Sequence, residues 1–277
     1  PTAIGWHPKE KAEFGEAQFE VTSPPEGPLA ACDKAVMLRE ITRGTAWRLG
    51  HTVSFSPRMS PTSIGNGLHI HVSLWDEAGK PISHDPKGPH GVSATAGKFL
   101  AGVLRHMPAL CAFTAPTLVS YLRLVPHMWS AAWTSLGYRD REAGIRICPT
   151  FATSERSTAE QFNFEYRAAD ASACPYIQVA TILKAGLAGL KDNLPVPEPL
   201  VEQDPGTFSE TERQKRGIVR LPATLGAALD ALDADAVVQG FLPPRLLEAY
   251  RGNKRAELAL GKDWTPEEVC KRYAEVY

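Results

Sequence analysis

The chain has 277 residues, 43% of them apolar, which is enough for a sizeable buried core in one large domain or two small ones. Its 30 Lys and Arg against 31 Asp and Glu give no general electrostatic reason to expect a nucleic acid or a membrane surface as partner, so a charged ligand must be met by a local cluster. No apolar run reaches the roughly 18 residues that span a bilayer, and no basic region followed by an apolar stretch opens the chain, which predicts a cytoplasmic protein.

The chain starts at Pro1 in sequence already dense in Glu, Gly and aromatic residues, and is read as a piece of a longer protein. Residues 13–21 (EFGEAQFEV) are strand-like at their end, and 28–49 form a helix begun at Pro28 and stopped by Gly50. Two strands are expected next, His51 to Pro57 and Leu68 to Trp75, joined by the glycine-bearing loop RMSPTSIGNG. Turn formers crowd 76–91, a surface loop, after which Leu100, Val103, Leu104 and Met107 recur at helical spacing with Ser93 placed to cap that helix. Phe162 to Arg167 alternates like a strand. Val179, Ile182, Leu183, Leu187 and Leu190 then share one face of a helix expected to cover the sheet. The Pro/Glu-rich stretch 195–210 reads as a surface excursion leading to short helices, the last opened by a Thr265/Glu268 capping box. Strands and helices mix without βαβ alternation, so the expected class is α+β. Cys32, Cys111, Cys148, Cys174 and Cys270 are odd in number and contain no CxxC, which predicts free, buried thiols.

The chemistry centres on GNGLHIHVSLWD, Gly65 to Asp76, where a strand's period of two puts His69 and His71 on one face. Such a pair is either the polar side of a sheet or part of a metal site. Glu13, Glu20 and Glu165 are the carboxylates in strand-like sequence, and a buried carboxylate needs either an arginine or a metal as partner. Arg123, Arg139, Arg141, Arg146 and Arg167 sit among apolar and aromatic neighbours, where guanidinium groups need bidentate partners. Five arginines outnumber three glutamates. A metal on the glutamates would free the arginines for an anionic ligand, the combination phosphoryl transfer needs.

EFGEAQFE, SFSPR, GNGLHIHVSL, PTLVSYLRLVP, YRDREAGIRICP and FEYRAADASACPY, in this order and spacing, resemble the signature blocks of the glutamine synthetase superfamily across most of the chain. The resemblance implies an α+β catalytic domain over residues 1–277, whose curved antiparallel sheet, flanked by helices, forms half of an active-site funnel in a ring-shaped homo-oligomer. It implies ATP and two or three Mg2+ or Mn2+ ions per site, with Glu13 and Glu20 on the first metal and His69 and Glu165 on the second. His71 and Ser73 match nucleotide contacts, and Arg141 and Arg146 attend the ATP phosphates. Arg123 and Arg167 match glutamate-binding residues, and Gly65 contacts glutamate through backbone. The implied reaction has ATP phosphorylate the side-chain carboxylate of glutamate, after which an amine displaces phosphate.

Three departures from the family pattern stand out. The family's small β-grasp domain and its two-glutamate strand are expected upstream, so this span alone is expected to be a poor catalyst. In RLVPHMWSAAW, Trp129 takes the position of the glutamate that serves ammonium in ammonia users. An indole offers an organic amine a surface to stack on, with Trp133, Met128 and Tyr138 nearby and His127 as the candidate proton acceptor, although Trp129 simply packing a loop is the alternative. Residues 195–248 contain no tyrosine for adenylylation, and the position of a basic ATP contact shortly before FEYR is unoccupied, with Glu160 and Asn163 nearby.

Overall fold

A computed structural model describes residue 15 and residues 17–277, so Glu13 lies outside the described residues. The elements in order are helix α1 (Pro28–Arg48), strand β1 (Ile70–Val72), helices α2 (Ala94–Thr114) and α3 (Ser120–Arg123), and strands β2 (Trp133–Tyr138) and β3 (Ala143–Ile147). Helix α4 (Glu155–Gln161), strand β4 (Phe164–Tyr166) and helix α5 (Pro175–Lys191) follow. Helices α6 (Glu210–Arg216), α7 (Leu225–Ala234), α8 (Ala236–Gln239), α9 (Pro244–Leu260) and α10 (Pro266–Val276) complete the chain. The predicted caps are present: Ser93 Oγ accepts the Ala96 amide at 3.1 Å, and Thr265 and Glu268 form the capping box of α10. All five cysteines are free, and all but Cys174 are buried.

Among the described residues the strands form one sheet in the order β1-β4-β3-β2. β4 runs antiparallel to both β1 and β3, but β2 runs parallel to β3 with a register shift between Trp133 and Leu136. The sheet is therefore mixed rather than wholly antiparallel. In the short link, Arg139 is left-handed (φ 59°) and donates its amide to Ile147 O, while the Asp140 carboxylate takes the Glu142 amide at 2.9 Å.

The core lies between one sheet face and α2, where Phe99, Leu100, Val103, Met107 and Leu110 meet Leu136, Ile145, Ile147, Phe164 and Tyr166, with Leu225, Leu229 and Leu232 of α7 closing the far side. The expected sheet-covering role of α5 is corrected: α5 packs on α2 instead. Its buried side combines Gln178, Thr181 and Ile182 with the small residues Ala185, Gly186 and Gly189, and of the predicted apolar stripe Ile182 is buried while Leu187 is 59% exposed. A Cβ at Gly102 would sit 2.2 Å from Ala185 O and one at Gly189 2.3 Å from Lys98 O, so the two helices approach backbone to backbone where only glycine fits. Small residues carry that contact because distance, rather than side-chain volume, decides it.

The strand expected over His51 to Pro57 is absent; its Phe55 amide donates to the Tyr277 carbonyl at 2.8 Å. The Leu68 to Trp75 strand shrinks to β1 and Phe162 to Arg167 to β4. The stretch 195–210 is more than a surface excursion: Leu200 is buried and exchanges backbone hydrogen bonds with Leu136 and Tyr138, covering the outer edge of β2.

Candidate active site

Strand alternation turns Phe164 and Tyr166 of β4 into the apolar core, which leaves Glu165 on the opposite face. Cross-strand register places Arg146 of β3 and His71 of β1 directly beside it. Glu165 is 2% exposed and gathers four basic groups. His69 Nδ1 lies 2.9 Å and His71 Nε2 3.8 Å from Oε1, Arg167 Nη1 donates to Oε1 at 2.8 Å, and Arg146 Nε stands 2.5 Å from Oε2. Burial by itself pushes the Glu165 carboxyl up. The His69 hydrogen bond and the charges of His69, Arg167 and Arg146 overcome it and hold the group well below the usual carboxylate range. Burial pushes the His69 imidazole down, against the pull of the Glu165 hydrogen bond and charge.

Arg167 is shared three ways: besides Glu165, its Nε donates to Arg141 O and its Nη2 to Trp129 O, each at 3.0 Å. Arg123, at the C-terminal end of α3, is buried beneath the same face, donating to Ala169 O at 2.8 Å and more weakly to Arg167 O. Burial lowers its pKa, and the nearby charge of Asp170 opposes that shift. The loop of Gly65 lies against Arg123 so closely that a Cβ at Gly65 would sit 2.4 Å from Arg123 Cγ. Gln18 Nε2 reaches Gly65 O at 3.1 Å and Asn66 Oδ1 at 2.5 Å, so the segment that carries Glu20 two residues later is docked beside this loop.

The structure thus brings His69, His71, Glu165, Arg146 and Arg167 together, with Arg123 and Gly65 adjoining. His71 Nδ1 also faces Asn163 Oδ1 at 2.8 Å and the Cys148 thiol at 3.6 Å. Ser73 receives the Trp75 indole N–H at 2.9 Å, and Arg141 is exposed at the rim. Trp129 is 45% exposed on the loop whose carbonyl Arg167 holds, and His127 Nε2 lies 3.6 Å from Asp204 Oδ2. Trp133 is not brought to this cluster by any of these bonds. The guanidinium groups of Arg213 and Arg220 lie over its ring, 5.1 and 5.6 Å from the centroid.

Sequence reasoning missed two carboxylates. Asp170, fully buried near Arg123, has its pKa pushed up by burial, with the Arg123 charge opposing. Glu142 accepts the backbone amides of His127 at 2.9 Å and Trp129 at 2.6 Å. Each sits in a stretch of small or charged residues that carries no periodic signal.

Whether the face suits a divalent cation is tested by its own atoms. Glu165 Oε2 is buried without a hydrogen bond among the described residues, because Arg146 is close but misaligned, and the His69 imidazole beside it is a residue type that ligates divalent metals. These two fit a cation. Among the described residues no group of three His, Cys, Asp or Glu is gathered for one, so further donors must be supplied. No helix among the described residues is long and apolar enough to cross a membrane.

Residues 7–272 match the family model "Glutamine synthetase, catalytic domain". The chain is 38% identical over 237 residues to the gamma-glutamylpolyamine synthetase GlnA3 of Streptomyces coelicolor, covering 86% of this chain and 50% of that protein. It is 36% identical over 246 residues to a glutamine synthetase of Methanocaldococcus jannaschii, covering 88% and 52%. Among solved structures, a "novel glutamine synthase homolog" superimposes with a TM-score of 0.85 at 42% identity, over 96% of this chain and 58% of the other. A GmaS/ADP complex superimposes with a TM-score of 0.77 at 29% identity, over 92% and 56%. The chain spans about half the length of the curated relatives it matches.

Proposed function

Since the chain belongs to the glutamine synthetase family through its catalytic domain, we propose that it is the catalytic part of an ATP-dependent ligase that joins the γ-carboxylate of glutamate to an organic amine. A γ-carboxylate oxygen attacks the γ-phosphorus of ATP and ADP leaves; the amine nitrogen then attacks the acyl carbon of the γ-glutamyl phosphate and inorganic phosphate leaves. Arg141 and Arg146 stabilise charge on the transferring phosphoryl group, and Arg123 and Arg167 bind glutamate with the Gly65 backbone. His71 and Ser73 contact the nucleotide. Glu13, Glu20, His69 and Glu165 would hold Mg2+ or Mn2+, which when bound neutralise phosphate charge. His127 accepts the proton of an alkylammonium, whereas an arylamine attacks without one.

One observation carries the choice of an organic amine over ammonia: the half-exposed Trp129 on the loop tied to Arg167 offers a π-face where a carboxylate would attract ammonium. Relatives named for a polyamine substrate and for glutamine are both close, so the amine must be measured. The test is phosphate release by the full-length polypeptide with ATP, metal and glutamate, comparing ammonia with methylamine, isopropylamine, a diamine and aniline. Preference for one organic amine is expected. Release with ammonia alone overturns the amine assignment and keeps the ligase, and silence with retained ATP binding points to a non-catalytic relative. The oligomer is proposed to be a ring, which sedimentation of the full-length protein checks.

A further inference from the structure

The loop that presents His127 and Trp129 is built in a way that its own sequence does not explain. Both residues are left-handed, with φ of 60° and 52°, in positions where neither is glycine. A bulky residue held there costs roughly 1–3 kcal/mol unless its surroundings over-determine it. Here they do so from two sides. The single carboxylate of Glu142 receives both strained residues' amides, one on each oxygen, at 2.9 and 2.6 Å. The Trp129 carbonyl is gripped by Arg167, whose Nη1 is held in turn by Glu165. Glu142 is itself aimed by the Asp140 carboxylate, which takes its backbone amide at 2.9 Å.

We propose that Glu142 is the positioning residue of the amine-acceptor loop, fixing where the Trp129 ring and the His127 imidazole stand relative to the Glu165 and Arg167 face. The inference rests on the ligase reading above. Glu142 touches neither the reacting atoms nor the bound groups of that reading; it acts through two backbone amides. An acceptor-only carboxylate is the one side chain that takes both amides at once. A glutamine keeps one acceptor oxygen and turns an NH2 donor toward the second amide, so it holds half of the clamp. Alanine holds none.

The test compares Glu142→Ala and Glu142→Gln with the wild type in the full-length polypeptide. Two readouts are used: amide exchange at residues 127 and 129, and separate KM values for amine, glutamate and ATP. Expected for Glu142→Ala is exchange at least about tenfold faster at both amides with exchange in β3 and β4 unchanged, because two charge-assisted bonds are lost locally. The amine KM is expected to rise about tenfold or more while those for ATP and glutamate stay within about twofold, with Glu142→Gln intermediate. A purely structural role would move all three KM values together or speed exchange across the sheet, and either result overturns the proposal, as does unchanged exchange at 127 and 129. Exchange needs no turnover. A wild-type protein that uses ammonia but no organic amine therefore overturns the amine assignment and keeps the ligase, while exchange alone still decides Glu142.

Discussion

The two faces of β4 solve the same burial problem in opposite ways. On one side Phe164 and Tyr166 lie in a dry core against α2, where stability comes from area removed from water and from dense packing. On the other, Glu165 is as deeply buried and is held by His69, Arg146 and Arg167. The apolar face tolerates change in proportion to the volume lost. The charged face tolerates less, because removing Glu165 leaves the Arg146 and Arg167 guanidinium groups without their shared carboxylate.

Breaking the charged side gives the largest expected effect. Glu165→Ala strands two guanidinium groups and should cost about 3–5 kcal/mol of stability in a denaturant titration, together with a loss of phosphate release on the order of 10³-fold. Phe164→Ala should cost a similar 3–5 kcal/mol through the cavity it leaves, yet leave kcat within about twofold at a temperature where the variant is folded. Equal losses of activity in the two variants would erase the distinction between the faces.

The smallest effect sharpens the comparison through pH. Glu165 is depressed in the folded state, so its contribution to stability is fully present above the unfolded value of about 4.3 and is lost only as pH falls through its lower folded value. Glu142 is displaced the other way: its burial outweighs the lowering by the Trp129 and His127 amides and by the His127 charge. A raised acid costs stability as pH rises through the window between its unfolded and folded values, and it protonates first on acidification. In an NMR titration from pH 7 to 4, the Glu142 carboxyl carbon should shift with a midpoint above about 4.3, while the Glu165 carboxyl carbon shows no carboxyl titration. Coincident midpoints would mean that the two environments do not differ as described.

Much of this was legible one residue at a time. The α1 boundaries, the Ser93 cap and the α10 capping box rest on local chemistry, since each bond joins residues close in sequence. The polar face of β1 and β4 followed from alternation. Glu142 was not legible, because its partners lie 13 and 15 residues away and are backbone amides with no side-chain signature. The α2–α5 contact was misread for a related reason: hydrophobic periodicity scores Leu187 and is blind to glycines at which two backbones touch.

What the sequence by itself determined is the list of chemical groups and their local geometry: which residues start helices, which imidazoles and carboxylates share a strand face, and the order of motifs that marks the family. Only the tertiary structure decided who meets whom. Strand register set Arg146 and His71 against Glu165, Arg167 joined that face to the Trp129 loop, and Glu142 closed the loop from outside. The physical reason is range. Propensity, alternation and capping act within a turn or a strand pair, whereas a buried charge finds its partners across whatever segments the packed core brings within about 3 Å.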